Sequence, residues 1–315
     1  MFNFELIDPE EMIDSDDFAF IESFLKCSGQ TQIGWHYIID MVWLYSKVKK
    51  WPRTLKVLDA GGGRGPCQFL LAELGFEISN IDLFHIPPSR ALTDRYGINL
   101  RKLNSYKPTN YKDYIENANF ENGGLKSSLK KWILTVWPNA LDRWRSWKSK
   151  EYNNKLDKWR SRWQLDKNPV GEIEWVTGNL CQLPEISTGY FDAVISLSSL
   201  EHIPLEMLDQ GLEEIRRVLK EDAHWAVTTS GTEKFETWFH EPSKGLCFSI
   251  ADIKKYFKAI DERAVKPEII IEKYRRNKYL KDNIAEFYKK SGDNGMPWGK
   301  WEPKYFPVGI FEISN

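Results

Sequence analysis

The sequence predicts an α/β protein in which a mainly parallel sheet is covered by helices on both faces, and three stretches carry that prediction. Leu55 to Gly65 (LKVLDAGGGRG) is an apolar run that breaks through an acid into glycines, the pattern of a buried strand entering a tight turn. Phe76 to Leu83 (FEISNIDL) reads as a second strand that ends in an acid, Asp82. Phe191 to Leu197 (FDAVISL) alternates so little that both its faces must be covered, as in a parallel sheet.

The elements follow in order. Residues 1 to 25 hold eight acids and no Lys or Arg, which predicts a solvated, partly helical arm. Ile33, Tyr37, Ile38, Met41, Val42, Leu44 and Tyr45 then fall at helical spacing. After the glycines, Pro66 stands where a first-turn proline loses no hydrogen bond, and Phe69, Leu70, Leu71 and Leu74 continue a helix. Glu172 to Val176 predicts a third strand. Leu205 to Leu219 is an amphipathic helix, Trp225 to Thr229 a strand, and Ile250 to Phe257 a helix. Glu268 to Tyr274 and Val308 to Ile313 read as the last two strands, with a charged helix at about 280–290 between them.

The totals allow more than one compact core. The chain has 315 residues, a net charge of −1 and 42% apolar residues, so a conventional α/β domain with large additions is expected. Cys27, Cys67, Cys181 and Cys247 are far apart, with no C-x-x-C pair and no histidine at zinc-ligand spacing, and no metal is expected. A basic, apolar leader and a membrane-length apolar run are both missing from the text, and a cytoplasmic protein is the expectation.

One segment stands apart from this pattern. Within Lys126 to Lys167 there are twelve Lys or Arg against four acids, and residues 126–167 hold six of the fourteen tryptophans. Leu141, Trp144, Trp147, Tyr152, Leu156, Trp159 and Trp163 fall within about half of a helical wheel, with Arg143, Arg145, Arg160 and Arg162 among the charges around them. This is a helical cap, read either as a packed cover or as a wall that holds a phosphorylated or sugar-like ligand by charge and stacking. A third use would be contact with nucleic acid or an anionic membrane surface.

The glycine loop can bring backbone close to a ligand, with the following helix N-terminus favouring anionic parts. A dinucleotide fingerprint G-x-G-x-x-G fails, since counting from Gly61 and Gly63 its third glycine falls at Pro66. The spacing D-x-G-x-G-x-G over Asp59, Gly61, Gly63 and Gly65 resembles instead motif I of the class I S-adenosylmethionine-dependent methyltransferases. The stretch WVTGNLCQLPEISTGYFDAVISLSSLEHIP resembles a later family pattern: an acidic residue, a short loop with Leu-Pro, an F-D-x-V strand, and Glu-His.

That resemblance implies a Rossmann-like, seven-stranded methyltransferase sheet with a helical arm over 1–53, the core over 54–98 and 169–315, and the cap inserted over 99–168. It implies S-adenosyl-L-methionine as cofactor, with Asp59 at its ammonium group and Gly61, Gly63 and Gly65 making room. Asp82 would take the ribose hydroxyls, Leu83 and Leu180 would meet the adenine, Asn179 its amino group, and Ser198 would lie beside the cofactor. Asn179 departs from the aspartate most common in the family. Ser-Leu-Ser-Ser at 196–199 lacks the tetrapeptide of methyltransferases acting on base amines, and Pro66-Cys67 lies in the wrong loop for a cytosine C5 enzyme.

A hydroxyl acceptor must lose its proton as it attacks, and histidine titrates nearest neutrality, so His202 and then His240 are the candidate bases. The expected reaction is methyl transfer to a small molecule, an oxygen of a sugar or related metabolite. The alternative is a methyltransferase-like scaffold that binds nucleic acid or anionic membrane through the basic helix. A nicotinamide-dependent oxidoreductase lacks its glycine fingerprint and a Tyr-x-x-x-Lys pair.

Overall fold

The computed structural model describes residues 2–85, 88–105, 138–261, 263–290, 296 and 299–312, with side chains for all of these except 138–145 and 290. Among them the main sheet has nine strands, where the resemblance implies seven. They are β1 (Phe2–Leu6), β2 (Lys56–Ala60), β3 (Glu77–Asp82), β4 (Asn99–Lys102), β5 (Ile173–Thr177), β6 (Phe191–Leu197), β7 (Leu219–Gly231), β10 (Ala259–Asp261) and β11 (Phe306–Glu312). A separate hairpin pairs β8 (Trp238–His240) with β9 (Gly245–Cys247).

The strand order is β10-β1-β11-β7-β6-β2-β3-β5-β4, and only β11 runs against its neighbours. From β2 the chain builds outward one way through β3, and from β6 the other way through β7. The crevice between β2 and β6 is therefore the point where ligands bind in open α/β sheets. Asp59 pairs across β2 with Asn80 on one side and Ile195 on the other, so three candidate segments end at that edge.

Three strands of the main sheet lie outside the expected set, β1, β4 and the short β10 that pairs with β1. The acid-rich N-terminus opens with β1, whose Phe4 and Leu6 are buried while Glu5 receives the Trp43 indole N–H and ion pairs with Lys47 and Arg263. The predicted solvated arm is thus anchored by a strand between β10 and β11, and only then becomes helices α1 (Pro9–Ile13) and α2 (Asp16–Ser28). At the opposite edge, the first residues of the expected insertion form β4.

The stretch from Glu268 to Tyr274 is helix, within Pro267–Arg276, and not the predicted strand. Its buried residues Ile270, Ile271 and Tyr274 stand one and then three apart, on one helical face, and Pro267 occupies the first turn. The remaining helices fall close to their predicted spans: α3 (Tyr37–Val48), α4 (Pro66–Glu73) and, after α5 (Arg90–Tyr96) and α6 (Pro138–Arg162), α7 (Leu205–Val218).

The described part of α6 packs on α2 and α5. Trp159 and Trp163 both donate to the Ser23 hydroxyl, at 3.0 and 3.1 Å, and Trp159 lies against Phe20 and Phe24. Arg160 is buried and donates to the backbone carbonyls of Glu73, Leu165 and Asn168. Its partner Glu73, fully buried, also holds Arg95 and the Tyr96 hydroxyl. Trp132, Trp137, Trp144, Leu141, Arg143 and Arg145 lie outside the residues whose side chains are described.

Candidate functional site

Asp59 sits one residue before the end of β2, buried to 1% exposure, and neither of its carboxylate oxygens has a partner. Burial first, and then the negative charge of Asp82, push its pKa up to about 8. An unpaired buried carboxyl is costly unless a cation completes it. The loop is shaped around it: a Cβ on Gly62 would overlap the Asp59 carboxylate, and one on Gly61, whose φ is +73°, would come within 2.8 Å of the Ser199 Cβ.

Buried amides hold that loop in place. Gln68 donates to the carbonyls of Gly63 and Gly65 at 3.1 and 3.2 Å, and Asn80 donates to Gly63 at 2.9 Å. Trp175 in turn donates to Gln68 Oε1. From the other side, Ser199 Oγ donates to the Gly61 carbonyl at 2.7 Å, and Ser196 Oγ donates to Ala60 at 2.8 Å. Loop and strand ends are thereby tied across the crevice.

Asp82 closes β3 and accepts the Phe84 N–H at 3.2 Å. Burial raises its pKa, against the lowering effect of neighbouring backbone N–H groups and the charge of His202. Its Oδ2 lies 3.4 Å from where a Cβ of Gly63 would stand, so carboxylate and loop face one space. Leu83 is 41% exposed beside it, and Leu180 reaches within 3.8 Å of the Gly61 Cβ position. Asn179 Oδ1 already accepts the Cys181 N–H at 2.9 Å, which orients the amide and leaves that oxygen one further lone pair.

Beyond β6 the chain turns through Ser198, at φ +48°, with a buried hydroxyl that has no partner. A recess of about 110 Å³ opens there, and His36, Tyr37, Glu201, His202, Tyr288 and Tyr305 form much of its wall. The two deeper tyrosines are held by one residue: Trp35 donates its backbone N–H to the Tyr288 hydroxyl at 3.3 Å and its indole N–H to the Tyr305 hydroxyl at 3.2 Å. Glu201 is buried, accepts the Thr229 and Ser230 hydroxyls, and is pushed up in pKa by burial, against the charges of His202 and His36.

His202 is exposed at the recess mouth. Its Nδ1 lies 2.9 Å from the Lys244 carbonyl oxygen, which can only accept, so Nδ1 carries the proton and Nε2 the lone pair of the neutral ring. His240 is not in the recess wall. It lies behind it on β8, with Nδ1 2.7 Å from the Ser243 hydroxyl and its ring against Tyr305. Burial lowers its pKa. Trp159 and Trp163 also lie elsewhere, against α2, and Trp147 is exposed.

The sequence places His36 on the helix before the first strand, within reach of the cofactor but as a packing or hydrogen-bonded residue, and does not point to Tyr288 or Tyr305. His36 and Asp40 stand four residues apart at the start of α3, a legible helical pair. Their 2.5 Å contact, and the burial of both, depend on the whole fold.

A family model described as a methyltransferase domain matches residues 151–227, spanning β5, β6 and most of β7. The strand order, the glycine loop and this match agree with the class I methyltransferase fold that the resemblance implies, and S-adenosylmethionine is the cofactor that such a fold implies. The residues fit it: the unpaired Asp59 carboxyl suits the ammonium group, the side-chain-free loop gives room, and Asp82 offers acceptors for ribose hydroxyls.

No curated protein matches the chain. Among solved structures it is similar to the PH0226 protein of Pyrococcus horikoshii OT3, at 18% identity over 70% of this chain and 57% of that one, with a TM-score of 0.31. It is also similar to the 1,6-didemethyltoxoflavin-N1-methyltransferase of Burkholderia thailandensis, at 12% identity over 98% and 91%, with a TM-score of 0.42. A coclaurine N-methyltransferase shares 8% identity over 87% and 71%, with a TM-score of 0.43. The chain thus spans little more than half the length of the first of these. No described helix is long and apolar enough to cross a membrane, and no described cluster of side chains could hold a metal ion.

Proposed function

We propose that this chain transfers a methyl group from S-adenosylmethionine to a hydroxyl oxygen of a small cyclic acceptor held in the recess beside Ser198. The observation that supports the reading is a recess lined by Ser198, at the end of β6, and by His202, while Ser199 next to it donates to the Gly61 carbonyl of the glycine loop. Asp59, Gly61, Gly63, Gly65, Asp82, Leu83, Asn179, Leu180 and Ser198 are the residues proposed to hold the cofactor, whose sulfonium supplies an electrophilic methyl group. The work left to the protein is to align and deprotonate the acceptor, and alignment alone can lower a barrier by about 7–11 kcal/mol at best.

His202 is proposed as the base: as the methyl carbon bonds to the acceptor oxygen and its bond to sulfur breaks, leaving the thioether, the hydroxyl proton passes to Nε2, while the Lys244 carbonyl keeps Nδ1–H in place. His240 is proposed to position Ser243 and Tyr305 behind the recess. A sugar oxygen is compatible with this recess, though its first ground, the basic helix, has its described part packed against α2. A phosphorylated acceptor finds no Lys or Arg among the described residues of the wall.

The test is to incubate the protein with S-adenosylmethionine and a metabolite extract and to follow compounds that gain one methylene mass. His202→Gln is expected to cut turnover about a hundredfold or more with S-adenosylhomocysteine binding unchanged. Full turnover in that variant would remove His202 from the chemistry.

A further inference from the structure

The recess holds a second imidazole that the proposed reaction does not use. His36 is 4% exposed, and its Nδ1 lies 2.5 Å from Oδ2 of the fully buried Asp40. The carboxylate accepts, so Nδ1 holds the proton and Nε2 is left with the lone pair of the neutral ring, as it is in His202. His36 Nε2 has no hydrogen-bond partner among the described residues, although His36 forms part of the recess wall.

Two imidazoles with Nδ1–H groups fixed by acceptors therefore line one small space, His202 at its mouth and His36 at its side, and each neutral ring has its lone pair on Nε2. One base is all that a single methyl transfer needs. The other lone pair is an acceptor for a second donor on the ligand, and an unmet acceptor in such a site is a source of discrimination. Tyr37, Tyr288 and Tyr305 add flat faces that suit a ring.

We infer that His36, oriented by Asp40, is a specificity-determining residue that binds a second hydroxyl of the acceptor, and that the acceptor is a compact ring compound carrying two hydroxyl groups. The ring is either a sugar-like carbocycle or an aromatic diol, and both share this chemistry. The inference rests on the methyltransferase reading only for which hydroxyl reacts; the binding of the second one is separate from the transfer.

The experiment measures binding to the full chain, with and without saturating S-adenosylhomocysteine, of two probe pairs: phenol with its 1,2- and 1,3-dihydroxy counterparts, and cyclohexanol with cis-1,2-cyclohexanediol. In at least one pair a diol should bind about tenfold more tightly than its single-hydroxyl partner, and the pair that responds identifies the ring type. The double variant His36→Phe with Asp40→Asn removes the ring nitrogen without stranding a buried carboxylate, and should bring diol and single-hydroxyl affinities together. His36→Gln is a second variant with the same expectation, and an unchanged melting temperature shows that each is folded. Equal affinities within both pairs in the natural sequence, binding of neither pair, or an unchanged diol preference in both folded variants would overturn the inference. Loss of S-adenosylhomocysteine binding alone, with the diol preference intact, would instead count against the methyltransferase reading.

Discussion

At the scale of single residues, Asp59 determines most of what the site can do. Its carboxyl is starved of partners and its pKa is pushed up to about 8 by burial and by Asp82, so the ligand-free protein keeps it protonated at neutral pH. An ammonium ligand needs the ionised form. Affinity for S-adenosylhomocysteine should therefore rise as pH is raised toward about 8, by up to about tenfold per pH unit, and Asp59→Asn should flatten that rise and weaken binding throughout. Folding of the ligand-free chain carries the opposite sign. An exposed aspartate gives up its proton near pH 4, so this raised group favours the folded state at low pH, and that contribution is lost as pH climbs from about 4 to about 8. Calorimetry across that range checks both slopes. The acid and glycine spacing was legible in the sequence because it is local. The roles of Gln68 and Asn80 were not, since the carbonyls they hold are brought to them by the turn itself.

At the scale of elements, the described part of the basic helix has an internal use. Arg160 satisfies three carbonyls and shares Glu73 with Arg95, which links α6 to α4 and α5. Arg160→Met should lower stability by about 3 kcal/mol, because breaking a buried pair leaves its acid less compensated. Denaturant unfolding measures that loss, and S-adenosylhomocysteine affinity should be unchanged. Were the helix chiefly a nucleic-acid or membrane surface, the substitution would leave stability alone and weaken such binding in a salt-dependent way. Helical periodicity located this element correctly, but charge counting could not separate arginines that face water from one that faces carbonyls. The strand expected at Glu268–Tyr274 shows the related difficulty of short apolar runs, where Ile270 and Ile271 suit either a sheet or a helix face until Tyr274 is seen to share it. β1 escaped notice for another reason. Its alternation of Phe2, Phe4 and Leu6 is clear but short, and its partners lie some three hundred residues away in β11.

At the scale of the whole molecule, the order of strands brings Asp59, Asp82, Asn179 and Ser198 to one sheet edge, and the N-terminal and C-terminal segments then build a second site beside it. His36 comes from the start of α3, Tyr305 from the approach to β11, and His202 from the turn after β6, so the acceptor recess exists only once the chain has closed on itself. Sequence reading therefore reached the residues proposed for the cofactor side, which are written in short motifs, and missed much of the proposed acceptor side, which is assembled from the two ends. The account stands or falls on the cofactor edge. Isothermal titration of S-adenosylhomocysteine into the full chain should give one site per molecule, weakened at least tenfold by either Asp59→Ala or Asp82→Ala. Absence of binding, or identical binding by the natural chain and both variants, would contradict it.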